Sequence, residues 1–160
     1  MASLSDLSLR NRLFMATYRV RALDPVPFAV PRRPLPEARV ALVTTGAVYA
    51  PGQAPFDESI RGGDVSFREI ASGVDVSTLG IAHKSDAFDQ IPFWKDRNLG
   101  FPLDRLREMA DRREIGEVSR RHLSFMGSIT APGRLVAGTA PKAAELLAAD
   151  GVDVAFLVPL

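Results

Sequence analysis

Thr139-Ala-Pro-Lys-Ala-Ala-Glu-Leu-Leu-Ala-Ala-Asp-Gly-Val-Asp-Val-Ala-Phe-Leu-Val158 is the stretch that decides the fold. Thr139 suits an N-cap, and Pro141 suits a first helical turn, where its missing N–H is no loss. Lys142 to Asp150 is rich in alanine and leucine, the strongest helix formers. Gly151 supplies a left-handed stop. Val152–Val158 then reads as a buried strand. Helix, glycine, short loop and apolar strand make half of a parallel α/β crossover.

Working outward, Arg39-Val-Ala-Leu-Val-Thr-Thr45 is a second apolar run, closed by Gly46, and reads as a strand buried on both faces. Phe67–Ile70 and Leu79–His83 are shorter strand candidates in a loop-rich stretch. Pro102–Arg113 predicts a helix with Leu103, Leu106 and Ala110 on its apolar stripe and Glu108 paired with Arg112 at i,i+4. Ile115–Val118 is long enough only for a turn or an edge strand. These elements predict an α/β fold with an open, mainly parallel sheet and flanking helices, Rossmann- or flavodoxin-like. That domain is expected over residues 39–160, incomplete at its C-terminus. Residues 1–38 are expected to form an N-terminal helical arm, with Leu9, Leu13, Tyr18 and Val20 on one stripe, followed by a Pro-rich strap. Pro25 to Pro36 holds five of the twelve prolines. Phe28 and Val30 give that strap something to bury, and a free linker is the alternative.

Composition narrows the function. The chain has 160 residues and a net charge of +1, so no global field draws it to nucleic acid or to an anionic membrane. No apolar run reaches the ~18–20 residues of a membrane span, and a cytoplasmic location is expected. There is no cysteine. That excludes disulfides, Cys-bearing metal sites and a thiol nucleophile from the chain as written.

Several groups have site chemistry. Thr44-Thr45-Gly46 lies at a strand's C-terminal end, where backbone N–H groups could hold a small anion or nucleotide; a polar turn is the plainer reading. His83 could act as an acid or base near neutrality. With Asp86 and Asp89 it also has a metal-ligand spacing, although a hydrogen-bonded histidine ending a strand needs no metal. Arg120-Arg-His-Leu-Ser-Phe-Met-Gly127 reads as a loop. There Arg121 could dock a substrate carboxylate, His122 could move protons and Ser124 could line the site. A basic surface turn whose Phe125 and Met126 plug the core is the alternative. Phe93-Trp94-Lys95 reads as an exposed aromatic turn and is a weak nucleic-acid signal.

Val40-Ala-Leu-Val-Thr-Thr-Gly46, Pro55-Phe-Asp57, Gly63-Asp-Val-Ser-Phe-Arg68, His83, Asn98-Leu-Gly-Phe-Pro-Leu-Asp-Arg-Leu106, Ile115-Gly116, Arg121-His-Leu-Ser-Phe-Met-Gly127 and Asp150-Gly-Val-Asp153 follow one another in this order. Together they resemble the selenoprotein B family of glycine/sarcosine/betaine reductases and D-proline reductase, over about residues 39–160. The resemblance implies an oxidoreductase subunit that cleaves a bond beside an amine or ring nitrogen with electrons from a dithiol. Its expected partners are other subunits of the reductase complex, a thioredoxin-like dithiol donor and a small amine or amino-acid substrate. A pyruvoyl group on a partner subunit is implied as the activator of the substrate amine. The nucleophile is expected in a Sec/Cys-x-x-Cys motif just after the strand ending at Val158. Selenocysteine is therefore expected just beyond Leu160, its codon read as a stop, and this chain alone is expected to be inactive. A genuine terminus, a pseudogene or a cysteine-free divergent member would explain the same ending. Outside the family reading, a non-catalytic α/β module holding an anion at Thr44–Gly46 is the alternative function.

Overall fold

The computed structural model describes residues 8–17, 24–85 and 88–160, and the chain divides into compact units at Val30/Pro31. In the first unit, α1 (Leu9–Thr17) exposes Leu9 and Leu13. Tyr18 and Val20, expected on the same stripe, lie outside the described residues. Phe28 and Val30 of the strap belong to this first unit.

The second unit is built around β1 (Arg39–Thr44), whose near-continuous apolar run suits a strand with neighbours on both sides. Along one edge it pairs in parallel with β7 (Val154–Val158), with Val40 opposite Val154 and Thr44 opposite Val158. Along the other edge it pairs in parallel with β5 (Glu117–Val118) and then β6 (Arg121–Phe125), with Thr44 opposite Ser124. The Val40 carbonyl accepts from Ser119 N–H and the Arg39 carbonyl from Asp153 N–H, so alternate residues serve opposite neighbours. Outside β6 lies β3 (Phe67–Ala71), which is antiparallel. The sheet is therefore mixed: parallel around β1, as expected, with an antiparallel strand at one edge. β2 (Val48–Tyr49) and β4 (Gly80–Ile81) form a small antiparallel pair of their own.

Because side chains alternate along a strand, the sheet has two packed faces. Val40, Leu42 and Ile70 pack with Leu79, Phe93, Phe101, Leu103, Leu106 and Ile115. These come from loops, from α2 (Ile91–Lys95) and from α3 (Leu103–Asp111). Ala41, Leu123 and Phe125 pack on the opposite face against Ala143 and Leu147 of α4 (Ala140–Ala149). Gly151 has φ +71°, as its stop role requires, and a Cβ there would stand 2.7 Å from Arg39 Nη1.

Several expectations change. Arg121–Phe125 is an inner strand with four of its five residues buried, not a loop. Its arginine, histidine and serine conceal the Leu123/Phe125 alternation. The 152–158 run is not buried as expected. β7 is an edge strand, and Phe156 and Leu157 are 51% and 66% exposed. Beside it, Val154 and Phe156 share an apolar groove of about 410 Å³ with Leu106 and Met109 of α3. Thr139 caps nothing, because a π-helical turn (Leu135–Thr139) already leads into α4. Arg112 turns to Glu114 at 2.6 Å, and Glu108 pairs with Arg105 instead. In the expected exposed aromatic turn, Phe93 is core instead, while Trp94 is exposed with the Arg97 guanidinium 4.5 Å from its ring.

Candidate functional site

Open α/β sheets collect ligands at the C-terminal ends of their parallel strands. In this chain those ends belong to β1, β6 and β7, and they converge on Gly127. A Cβ at Gly127 would stand 2.6 Å from the Leu160 carbonyl oxygen, 2.9 Å from that of Thr45 and 3.0 Å from His83 Nε2. Two of those three neighbours are backbone and cannot swing aside. Glycine is what lets the segments meet.

The threonines hold this junction. Thr44 Oγ1 donates to the Gly100 carbonyl (2.8 Å) and accepts from Gly46 N–H (3.0 Å). Thr45 Oγ1 accepts from Leu160 N–H at 2.8 Å. Ser124 Oγ accepts from Val48 N–H at 2.7 Å. The remaining amides of the turn are also committed: Thr45 N–H donates to Val158 and Ala47 N–H to Phe125. The turn therefore has no N–H to offer an anion. Thr44, Gly46 and Ser124 are buried at the junction, and the anion-binding alternative loses the groups that would carry it.

His83 is different. It is only 5% exposed, its Nδ1 accepts from Ser85 N–H (3.2 Å), and its Nε2 has no hydrogen-bond partner. Since Nδ1 is an acceptor, the proton of the neutral ring is on Nε2. The Phe88 ring lies 4.6 Å from the imidazole. Burial lowers the His83 pKa, against a weaker opposing pull from Glu58. His83, Ser85, Phe88, Gly127, Ser128 and Leu160 line a cavity of about 240 Å³.

His122 has a structural task. The strand pairing along β1 breaks between β5 and β6, where the Arg120 carbonyl turns away to accept from Ser72 N–H. His122 Nδ1 fills the gap and accepts from Leu42 N–H at 2.9 Å. The ring is fully buried, with Phe101 edge-on at 5.8 Å, and burial lowers its pKa to about 4. Arg107 adds to that shift. The imidazole is neutral at pH 7, with no exposure through which to exchange a proton with a substrate.

Arg121 begins β6, three residues (about 10 Å) before Ser124 and on the opposite face from His122. Its Nε and Nη2 donate to Asp150, and Nη1 donates to Glu69 at 2.6 Å. Asp150, whose side chain is fully buried, also receives Arg120. Hydrogen bonds from Arg120 and then Arg121 lower the Asp150 pKa, and Asp150 raises that of Arg121. The structure thus separates the sequence candidates. Thr44, Thr45, Gly46, Ser124 and His83 gather at one end of the sheet, while Arg121 is paired with Asp150 and Glu69 at the other. Asp86 of the metal-like spacing lies outside the described residues, and Asp89 Oδ1 accepts from Ile91 N–H. Among the described residues no three His, Cys, Asp or Glu side chains converge as a metal would need. Sequence reading passed over Gly127, Phe88 and Ser128. Gly127 closes the Arg121–Gly127 motif, and a glycine two residues beyond a strand's end is the signal that would have marked it.

Sheet, cradle and orphaned donor lie together at one end of an α/β domain. The glycine/sarcosine/betaine reductase selenoprotein B family matches residues 7–159, and the chain belongs to that family. It is 29% identical over 155 residues to D-proline reductase subunit gamma of Acetoanaerobium sticklandii, which covers 96% of this chain and 61% of that protein. It is 27% identical over 152 residues to glycine reductase complex component B subunit gamma of Peptoclostridium acidaminophilum (93% and 34%). Sarcosine reductase complex component B subunit beta of the same organism is 25% identical over 149 residues (93% and 34%). The chain therefore spans between 34% and 61% of the length of these relatives. No solved structure matches it. Among the described residues no helix is long and apolar enough to cross a membrane.

Proposed function

We propose that this chain serves as a subunit of a multi-component reductase that cleaves the bond beside the nitrogen of a small amino acid or amine. Two electrons come from a thioredoxin-like dithiol, which becomes a disulfide. The observation that carries this reading is the family match over residues 7–159, coincident with the cradle at Gly127. The relatives' own names, D-proline, glycine and sarcosine reductase, supply the substrate class. Within it, parallel β6 and β7 joined through α4 on either side of β1 support a Rossmann- or flavodoxin-like reading of the fold, and a dithiol donor would suit a reducing compartment such as the cytoplasm. Thr44, Thr45, Gly46 and Ser124 shape the strand ends, and His83 is the group left to meet substrate.

The 160 residues hold no cysteine, so they do not furnish a thiol nucleophile. The selenium or sulfur nucleophile and the partner-chain pyruvoyl group belong to the proposal as contributions from outside these residues, and the 160 residues alone are expected not to turn over. The test supplies the intact protein with its complex partners, a dithiol and, in turn, glycine, sarcosine, betaine and D-proline. Dithiol-dependent consumption of one of them is expected. Saturable binding of all four without turnover would overturn the reading.

A further inference from the structure

His83 carries the one buried imidazole nitrogen that the fold leaves unemployed beside a cavity. His122 Nε2 also lacks a partner, but that ring is sealed in the sheet. His83 Nδ1 is taken by Ser85 N–H, so protonating Nδ1 would set two donors against each other. The ring therefore presents Nε2–H, a donor and not a base. A buried donor without an acceptor forfeits the hydrogen bonds it makes to water when unfolded. A ligand oxygen would restore one. The cavity is about 240 Å³, below the roughly 300–1,000 Å³ of pockets for drug-sized ligands, and suits a molecule of a few heavy atoms. Lys84, the neighbouring cation, donates to the Ile60 carbonyl at 2.7 Å.

We propose that this cavity is a carboxylate-recognition subsite, in which His83 donates its Nε2–H to one carboxylate oxygen of a small amino-acid substrate. In this structure Nε2 has no accessible surface of its own, so the wall of the cavity must give way for the oxygen to reach it. The choice of a carboxylate rests on the reductase reading above. Glycine, sarcosine and D-proline share that acceptor, while their nitrogens are protonated donors that Nε2–H cannot bind. The proposal moves substrate anchoring from Arg121, whose nitrogens are all engaged, to a neutral histidine 38 positions earlier in the chain.

Two measurements test it. In the intact protein labelled with ¹⁵N-histidine, acetate and glycine should each shift the His83 Nε2 resonance saturably, and methylamine should not. No shift with either carboxylate, as when Nε2 is satisfied by water alone, overturns the subsite; so does an equal shift with methylamine. In the assembled reductase, His83→Leu should raise KM roughly tenfold or more and leave kcat within about threefold. His83→Gln, whose amide can donate from a similar position, should recover part of that loss. An unchanged KM in His83→Gln and His83→Leu, or a loss confined to kcat, overturns it as well. If His83→Leu fails to fold, the glutamine variant and the titration still decide. If the wild-type complex shows no turnover, the reductase reading fails, while the acetate and methylamine titrations still judge the subsite.

Discussion

The two ends of the parallel strands are chemically opposite. At the N-terminal end, Arg39, Arg120 and Arg121 meet Glu69, Glu117, Asp150 and Asp153, and each of these side chains has a partner. At the C-terminal end Thr44 and Thr45 pin backbone groups, and among the described residues one buried imidazole nitrogen there has nothing to hold. Richness in charge is thus a poor guide to the site. The arginine cluster has the residue types that recognise substrates, yet each arginine is already paired with a carboxylate. The quieter end has few charged groups and one unmet demand.

Three experiments would break or sharpen this contrast. The largest effect is expected from His122, which lies on the strand joining the two ends. Its folded pKa of about 4 is below its unfolded value near 6.5, so the unfolded chain binds the proton first as pH falls. The stability it confers is complete above pH 6.5 and is lost as pH falls to about 4, on the order of 3 kcal/mol. His83, also lowered, acts in the same direction. The lowered Asp57, Asp64 and Asp150 carboxylates lose their contribution only below about pH 3.8, in a separate acid step. Chemical denaturation of the intact protein at a series of pH values should resolve the two steps, and His122→Asn should flatten the upper one.

Next is Gly127→Ala, which forces a methyl against two carbonyl oxygens and should cost roughly 1–3 kcal/mol. Substrate affinity should fall with it, because the same atom approaches His83 Nε2. A variant as stable and as active as the parent would show that the cradle is slack. The smallest effect on function is expected from Arg121→Ala. It leaves Asp150 paired with Arg120 and should lower Tm by a few degrees while leaving KM in the reductase unchanged. A raised KM there would restore Arg121 as the carboxylate anchor and erase the contrast.

The crossover around Gly151 and the central strand Arg39–Thr44 were legible in the sequence because their signals are local: a helix former run, a glycine stop and unbroken apolar strands. The β6 strand was not. Its polar residues are buried for reasons that lie far along the chain, in Leu42, Val48 and Asp150. The same holds for the site. Thr44–Gly46 and His83 could be picked out by chemistry and by position after a strand. Whether the threonine hydroxyls were already spent depends on partners 56 to 115 positions away, Gly100 for Thr44 and Leu160 for Thr45. Gly127 carries no chemistry to notice, and only the approach of three other segments makes it necessary.

The imidazole seated in the strand pairing has a further consequence for hydrogen exchange. The Leu42 amide is held by a ring nitrogen, where its neighbours are held by carbonyls. A carbonyl at the centre of a sheet does not protonate under mild acid, but this ring does. Its second proton must go to Nδ1, the atom on which the Leu42 amide rests. One peptide proton in the middle of the molecule thereby becomes a gauge of a single side chain's charge, keeping its acceptor while the ring is neutral and losing it when the ring is protonated.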